Sequence, residues 1–385
     1  MSQETMEWLN NNTLIGCTDM RTANGQPSHA WHYMECWQGD EPNHYAGPIP
    51  VADLKRRLFN WEPIKCQAAA LVPLPEDKQD MVNVFDRNGN PLKDKHGNIV
   101  TVSYSSNRVQ IVRSDNFLDL GAFKDGYEPH GYNEWLVSVL SNIIGDTLVI
   151  SSAGLLQMGA QAWVEASFPE TLHDEMTGFD YRPYLLATTS LNGTLATGYF
   201  AATNATVCDN TMHMAIGSAG ERRYKLKHTK SSVMKIDEAR NHLGILHQEQ
   251  ESFADELHKW ASIEIPDNKW VEIMEIIIPS PTDEKESKKA YTRALNKRDN
   301  LNHVYHNDSM ANTWKGTGLG VIQAVNTFAH HYGEIRGKQD GVSENALRTQ
   351  RNNERRVKGG FADLDVATIN AIAKVMDKPE LLVTV

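Results

Sequence analysis

Arg222, Arg223, Lys225, Lys227 and Lys230 crowd one short run, Glu221-Arg222-Arg223-Tyr224-Lys225-Leu226-Lys227-His228-Thr229-Lys230, in a protein whose formal net charge is -11. Side chains on an extended chain alternate between faces. A strand here therefore puts Arg223, Lys225 and Lys227 on one side, with Tyr224 and His228 on the other. Same-face cations then recur every ~6.5–7 Å, close to the phosphate spacing of an extended single strand. The chemistry this suggests is binding of a polyanion. The bland reading is an edge strand whose lysines block strand-to-strand aggregation, although that role does not call for two adjacent arginines and a tyrosine.

A second cationic run holds Arg348, Arg351, Arg355, Arg356 and Lys358, with Glu354 as its one compensating acid and a glycine pair after it. On a helix Arg348, Arg351 and Arg355 share a face. Arg351, Arg355 and Arg356 are accordingly candidates for a second nucleic-acid contact, or for a contact between subunits with the acidic segment 237–264. Lys285, Lys288, Lys289, Arg293, Lys297 and Arg298 read instead as a solvated helix surface.

Catalytic and metal-binding patterns are weak. Trp314-Lys315-Gly316-Thr317-Gly318-Leu319-Gly320 precedes a helix but fits neither GxxxxGK[ST] nor a strand-linked GxGxxG. Tight packing of a helix start against another backbone is the better reading, ahead of phosphate binding. His29, His32 and Cys36 have metal-like spacing without a fourth ligand. His330 and His331 are adjacent and so point to different helix faces. Asp115 with Asp119, and His306 with Asp308, could be written as acid/base pairs, but such pairs arise by chance. No GxSxG or HExxH occurs. The expectation is of no catalytic residue, no metal and no cofactor.

The composition is that of a soluble globular protein, 40% hydrophobic and 23% charged over 385 residues. The acidic balance argues against a protein that coats duplex DNA by charge alone, while leaving room for one basic groove. Cys17, Cys36, Cys66 and Cys208 lack CxxC spacing, so a reduced, cytoplasmic protein is expected. No apolar run is long enough to span a bilayer.

These candidates need elements to hold them. Residues 1–30, rich in Asn and Thr, read as a polar arm. Residues 31–232 read as a β-rich α+β core, with a helix at 51–59 and strands at 81–85, 99–104, 108–113 and 118–123. A helix at 131–144 follows, then strands at 148–152, 159–168, 184–189 and 194–202 and a short helix at 208–216. Residues 233–385 read as helical, with helices at 270–278, 284–305, 321–335, 343–357 and 366–376. Ile236, Ala239, Leu243, Leu246, Gln250, Phe253, Leu257 and Trp260 form a heptad seam that needs a partner helix, in this chain or on a neighbouring subunit. The fold class is α+β: a mostly antiparallel sheet with a helical C-terminal region.

Several segments occur together in a recognisable order: Ala30-Trp31-His32, 108–115 (RVQIVRSD), 120–127, 184–193 (YLLATTSLNG), Val207-Cys208-Asp209-Asn210-Thr211, Lys227-His228-Thr229 and 317–335. In these the chain resembles, from about residue 31 to 376, the phage/plasmid-like proteins grouped as domain of unknown function 932. The resemblance carries no catalytic residues. It implies the cytoplasm of a bacterial host and the DNA metabolism of a mobile element. With the basic strand and the absence of an NTPase motif, the expected function is ATP-independent binding and annealing of single-stranded DNA by a homo-oligomeric ring or filament. Arg222, Arg223, Lys225, Lys227 and Lys230 would make the primary phosphate contacts. The alternatives are a non-enzymatic assembly or protein-interaction protein of a phage or plasmid and, last, a metal-dependent nuclease using Asp115 and Asp119.

Overall fold

A computed structural model describes residues 8, 11–18, 22–23, 26–27, 37–70, 92–93, 95–96, 99–100, 104–138, 140, 148–168, 171–205, 211–212, 223–228, 246–280, 287–335 and 343–383. The main strands are β1 (Thr13–Ile15), β2 (Pro63–Ala70), β3 (Tyr104–Arg113), β4 (Asp119–Lys124), β5 (Val149–Leu156), β6 (Gln161–Ser167), β7 (Leu172–Asp174), β8 (Phe179–Ser190), β9 (Thr197–Ala205), β10 (Thr211–Met212) and β11 (Arg223–Leu226). The helices are α1 (Val51–Arg57), then α2 (Leu246–Ser262), α3 (Asp267–Ile277), α4 (Lys288–Asn307), α5 (Gly318–Thr327), α6 (Glu344–Lys358) and α7 (Gly360–Val375). The fold is α+β, with antiparallel strands first and helices after.

The large sheet runs β1-β5-β6-β8-β9-β10, with β7 on β8 and β11 on β9; a second sheet runs β4-β3-β2. Period-two alternation splits the large sheet between two buried faces. Ala162, Val164 and Ala166 of β6, with Leu185 and Ala187 of β8, join a core roofed by Leu54, Ile111, Leu120 and Trp135. Their neighbours Trp163, Tyr184 and Leu186 pack on the other face, against Val357 of α6. Because both faces are covered, β6 and β8 are almost wholly buried, which accounts for strands that read as near-continuous apolar or small-residue runs.

A second core is helical. Phe253, Leu257 and Trp260 of α2 pack with Trp270 and Ile273 of α3, Val321 and Val325 of α5 and Ile369 of α7. The described end of the heptad seam therefore finds its partners within the chain; Ile236, Ala239 and Leu243 lie outside the described residues. Phe179 and Tyr181, at the start of β8, enter this same core, so a single strand serves both. Thr317 caps α5 by accepting from the Gly320 N–H at 3.1 Å. A Cβ on Gly320 would overlap the Trp314 carbonyl oxygen. The glycine run serves close packing of a helix start, as its sequence suggested.

Four expectations change. The 1–30 segment is not wholly an arm, because Leu14 and Ile15 are fully buried and β1 pairs with β5. β2 has no counterpart among the expected strands. Where a helix was expected at 208–216 the structure has β10 at Thr211–Met212; the rest of that segment lies outside the described residues, as does the expected strand 81–85. The helix expected from 131 is described as a π-helical turn, Asn133–Ser138.

Candidate nucleic-acid interface

β9 carries β11 along its outer edge in the register Thr197↔Leu226, Gly198↔Lys225, Tyr199↔Tyr224, Phe200↔Arg223. Directly opposed residues of an antiparallel pair share a face. Tyr199 is buried in the first core, its hydroxyl donating to the Trp135 carbonyl at 2.5 Å. Phe200 packs on the opposite face. In that register Arg223 lies opposite Phe200, Lys225 opposite Gly198 and Tyr224 opposite Tyr199. Among the described residues β11 pairs only with β9, which makes it an edge strand. Lys227, next along the chain, is exposed.

The Phe200 face also carries the end of α6. A cavity of about 270 Å³ lies between Thr188, Thr194 and Phe200 of the sheet side and Arg356, Lys358 and Gly359. That end of α6 closes the second cationic run, 348–358.

What pins β11 is the residue just beyond it. The His228 ring stacks on Tyr127 (centroids 5.0 Å apart) and on His130 (4.0 Å). Tyr127 stacks in turn on Phe123 and His130 on Trp135, both at 3.8 Å. Five rings form one column. Thr197 Oγ1 lies 2.6 Å from His130 Nδ1 and 3.3 Å from His228 Nε2, and Thr189 Oγ1 lies 2.7 Å from Thr197 Oγ1. Burial, assisted by the neighbouring His228, pushes His130 down to about 3. Burial pushes His228 down to about 4, a hydrogen bond with the Glu128 backbone opposing the shift. Both imidazoles are neutral at pH 7, so this column anchors the strand and adds no positive charge to it.

The remaining predicted contacts behave differently. Arg356 is buried and ion-paired with Glu165 of β6. The Glu165 carboxylate also accepts from Ser151 Oγ at 2.7 Å and from Ser152 Oγ at 3.3 Å. Arg356 is thus a structural lock and not a surface phosphate contact. Helix geometry explains the error: the residue after Arg355 turns about 100° inward, toward the sheet. Arg351 Nη1 donates to the Glu334 carbonyl at 3.3 Å and Arg348 Nη1 to the Gly333 carbonyl at 2.8 Å. They satisfy carbonyls just past a helical C-terminus, where cations are favoured. Arg355 is exposed, its guanidinium 4.8 Å from the Phe361 ring centroid. Arg222 and Lys230 lie outside the described residues.

Asp115, Asp308 and His306 each have partners of their own. Arg113 donates to both carboxylate oxygens of Asp115, at 2.9 and 2.6 Å, and these bonds hold its carboxyl below the usual range. Asp308 accepts from Tyr332 and from the Met310 N–H, while His306 sits edge-on to Tyr305. His330 is buried against Phe361. His29, His32 and Cys36 lie outside the described residues. Glu165, His130 and the Thr189–Thr197 pair were not nominated from sequence. The one signal near them was positional: Phe123 and Tyr127 of 120–127, Thr189 of 184–193 and His228 all meet at the ring column.

The family model for a domain of unknown function, DUF932, matches residues 119–355, more than half of the chain. The chain belongs to that family. No curated protein and no solved structure matches it.

Proposed function

We propose that this DUF932 protein binds single-stranded DNA without nucleotide hydrolysis and anneals complementary strands, as a homo-oligomer acting in the cytoplasm of the bacterial host of a phage or plasmid. The observation that carries the reading is the edge strand β11: Arg223 and Lys225 hold alternate register positions and exposed Lys227 follows, while Lys358, paired with Glu354 at 3.5 Å, lines the cavity on the Phe200 face. A cationic rim of this kind tracks a backbone and leaves the bases free to pair. Among the described residues no helix is long and apolar enough to cross a membrane.

The test is fluorescence polarisation with a labelled oligothymidylate over a salt series. Three phosphate contacts give a slope of about −2 in log K against log salt, hence an affinity loss of about 20-fold between 50 and 200 mM. Arg223→Glu with Lys225→Glu should abolish binding without unfolding the protein. No binding at low salt, or unchanged affinity in that variant, ends the proposal.

The second reading, an assembly protein, has its own observation. Phe117 and Met158, 73% and 40% exposed, both stand at turns with positive φ. Large apolar side chains held out on strained turns suit a protein partner. Oligomers that form normally but ignore nucleic acid would favour it.

A further inference from the structure

A cavity of about 460 Å³ opens among the helices, where the end of α3, one face of α4, α5 and its π-helical continuation, α6 and α7 meet. Its walls include Ile278, Ala294, Leu301 and Phe328, and apart from three cations every lining residue is apolar or glycine. The cations are Arg293, Lys297 and Arg355. Arg298, on the neighbouring face of α4, has ordinary partners: it donates to the Ile278 carbonyl and pairs with Glu275. Arg293, Lys297 and Arg355 have no carboxylate partner among the described residues, in a protein of net charge -11. An apolar groove rimmed by three cations that lack a carboxylate partner among the described residues is a binding surface by composition, and its volume is in the range of ligand sites.

We propose that this groove docks a peptide segment of a partner protein in which apolar anchors are flanked by carboxylates. The placement of charge favours a peptide over a single-headed amphiphile. Arg293 and Lys297 stand one turn, about 6 Å, apart along α4, while Arg355 comes from α6, so positive charge borders more than one wall. One anionic head would meet only part of it; alternating acids and anchors can meet all three cations and fill the groove between them. A polynucleotide suits the groove less well, because Phe328 is the one aromatic ring among its lining residues on which a base could stack. The groove shares no lining residue with the cavity at the end of α6 and does not depend on the DNA-binding reading.

Selection of random dodecapeptides displayed on phage against the intact protein tests it. Enriched sequences should carry two or more Asp or Glu next to Leu, Ile or Phe. The corresponding synthetic peptides should lose at least tenfold in affinity for Arg293→Glu with Lys297→Glu, and also for Ala290→Trp, which fills the groove without changing its charge. Oligothymidylate affinity should be unchanged in these variants. Enriched peptides without acids, equal affinity for the variants, or no enrichment at all overturns the proposal. So does loss of single-strand binding in the Arg293/Lys297 variant, which would assign these cations to nucleic acid.

Discussion

Lowering the pH from 7 to 5 should strip stability from the β-sheet region through two histidines. In an unfolded chain His130 and His228 titrate near ~6.5. In the ring column they are held at about 3 and about 4. The folded state therefore binds fewer protons than the unfolded state once the pH falls below about 6.5, and stability drops as acid is added. Integrated from pH 7 to 5, each histidine contributes a loss of about 2 kcal/mol, and the pair about 4 kcal/mol as an upper figure. The loss continues to about pH 4 for His228 and about pH 3 for His130, where the folded rings begin to protonate. Carboxylates with depressed values act mainly below about pH 4.5, so the interval from 7 to 5 belongs to the histidines. Urea unfolding followed by tryptophan fluorescence at both pH values reads the difference. His130→Gln with His228→Phe removes most of the titration and should bring its two curves much closer, leaving the contribution of His306, which burial also lowers. A wild-type change below about 1 kcal/mol, or an undiminished change in the double variant, would refute the argument.

The lock between sheet and helices gives another test. Glu165→Gln leaves the Arg356 charge buried without its counter-ion and should cost about 3–5 kcal/mol in urea unfolding, whereas Glu165→Leu with Arg356→Met should recover most of that loss. At the start of α5, Thr317→Ala removes the cap and should cost about 1 kcal/mol. Gly320→Ala, driven into the Trp314 carbonyl, should be far worse and should show as loss of soluble protein.

Much of the architecture was legible because the signals were local. The β-rich runs 184–189 and 194–202 marked β8 and β9, and the helices expected at 284–305, 321–335, 343–357 and 366–376 coincide with much of α4 to α7. β2 escaped because it begins at Pro63 and ends in Gln-Ala-Ala-Ala, poor strand formers, although proline is tolerated at a strand's first residue. β1 escaped because three residues are too few to show a period. The roles of charged residues were the least legible. Arg355 and Arg356 look equivalent in sequence, yet one is exposed and the other meets a carboxylate 191 positions away. The ring column depends on His130 and His228 arriving from opposite ends of the sheet region, and no spacing rule encodes that meeting.

The buried pair also governs how this protein can be divided. The family match stops at residue 355, immediately before the arginine that neutralises Glu165. A fragment cut at that limit would keep the anion and discard its counter-charge, and trimming the helices would in addition strip Phe179 and Tyr181 of their packing. Sheet and helices are covalently one chain and electrostatically one unit. Shuffling the sheet half into another protein would require a matching substitution at position 165, and shuffling the helical half one at position 356.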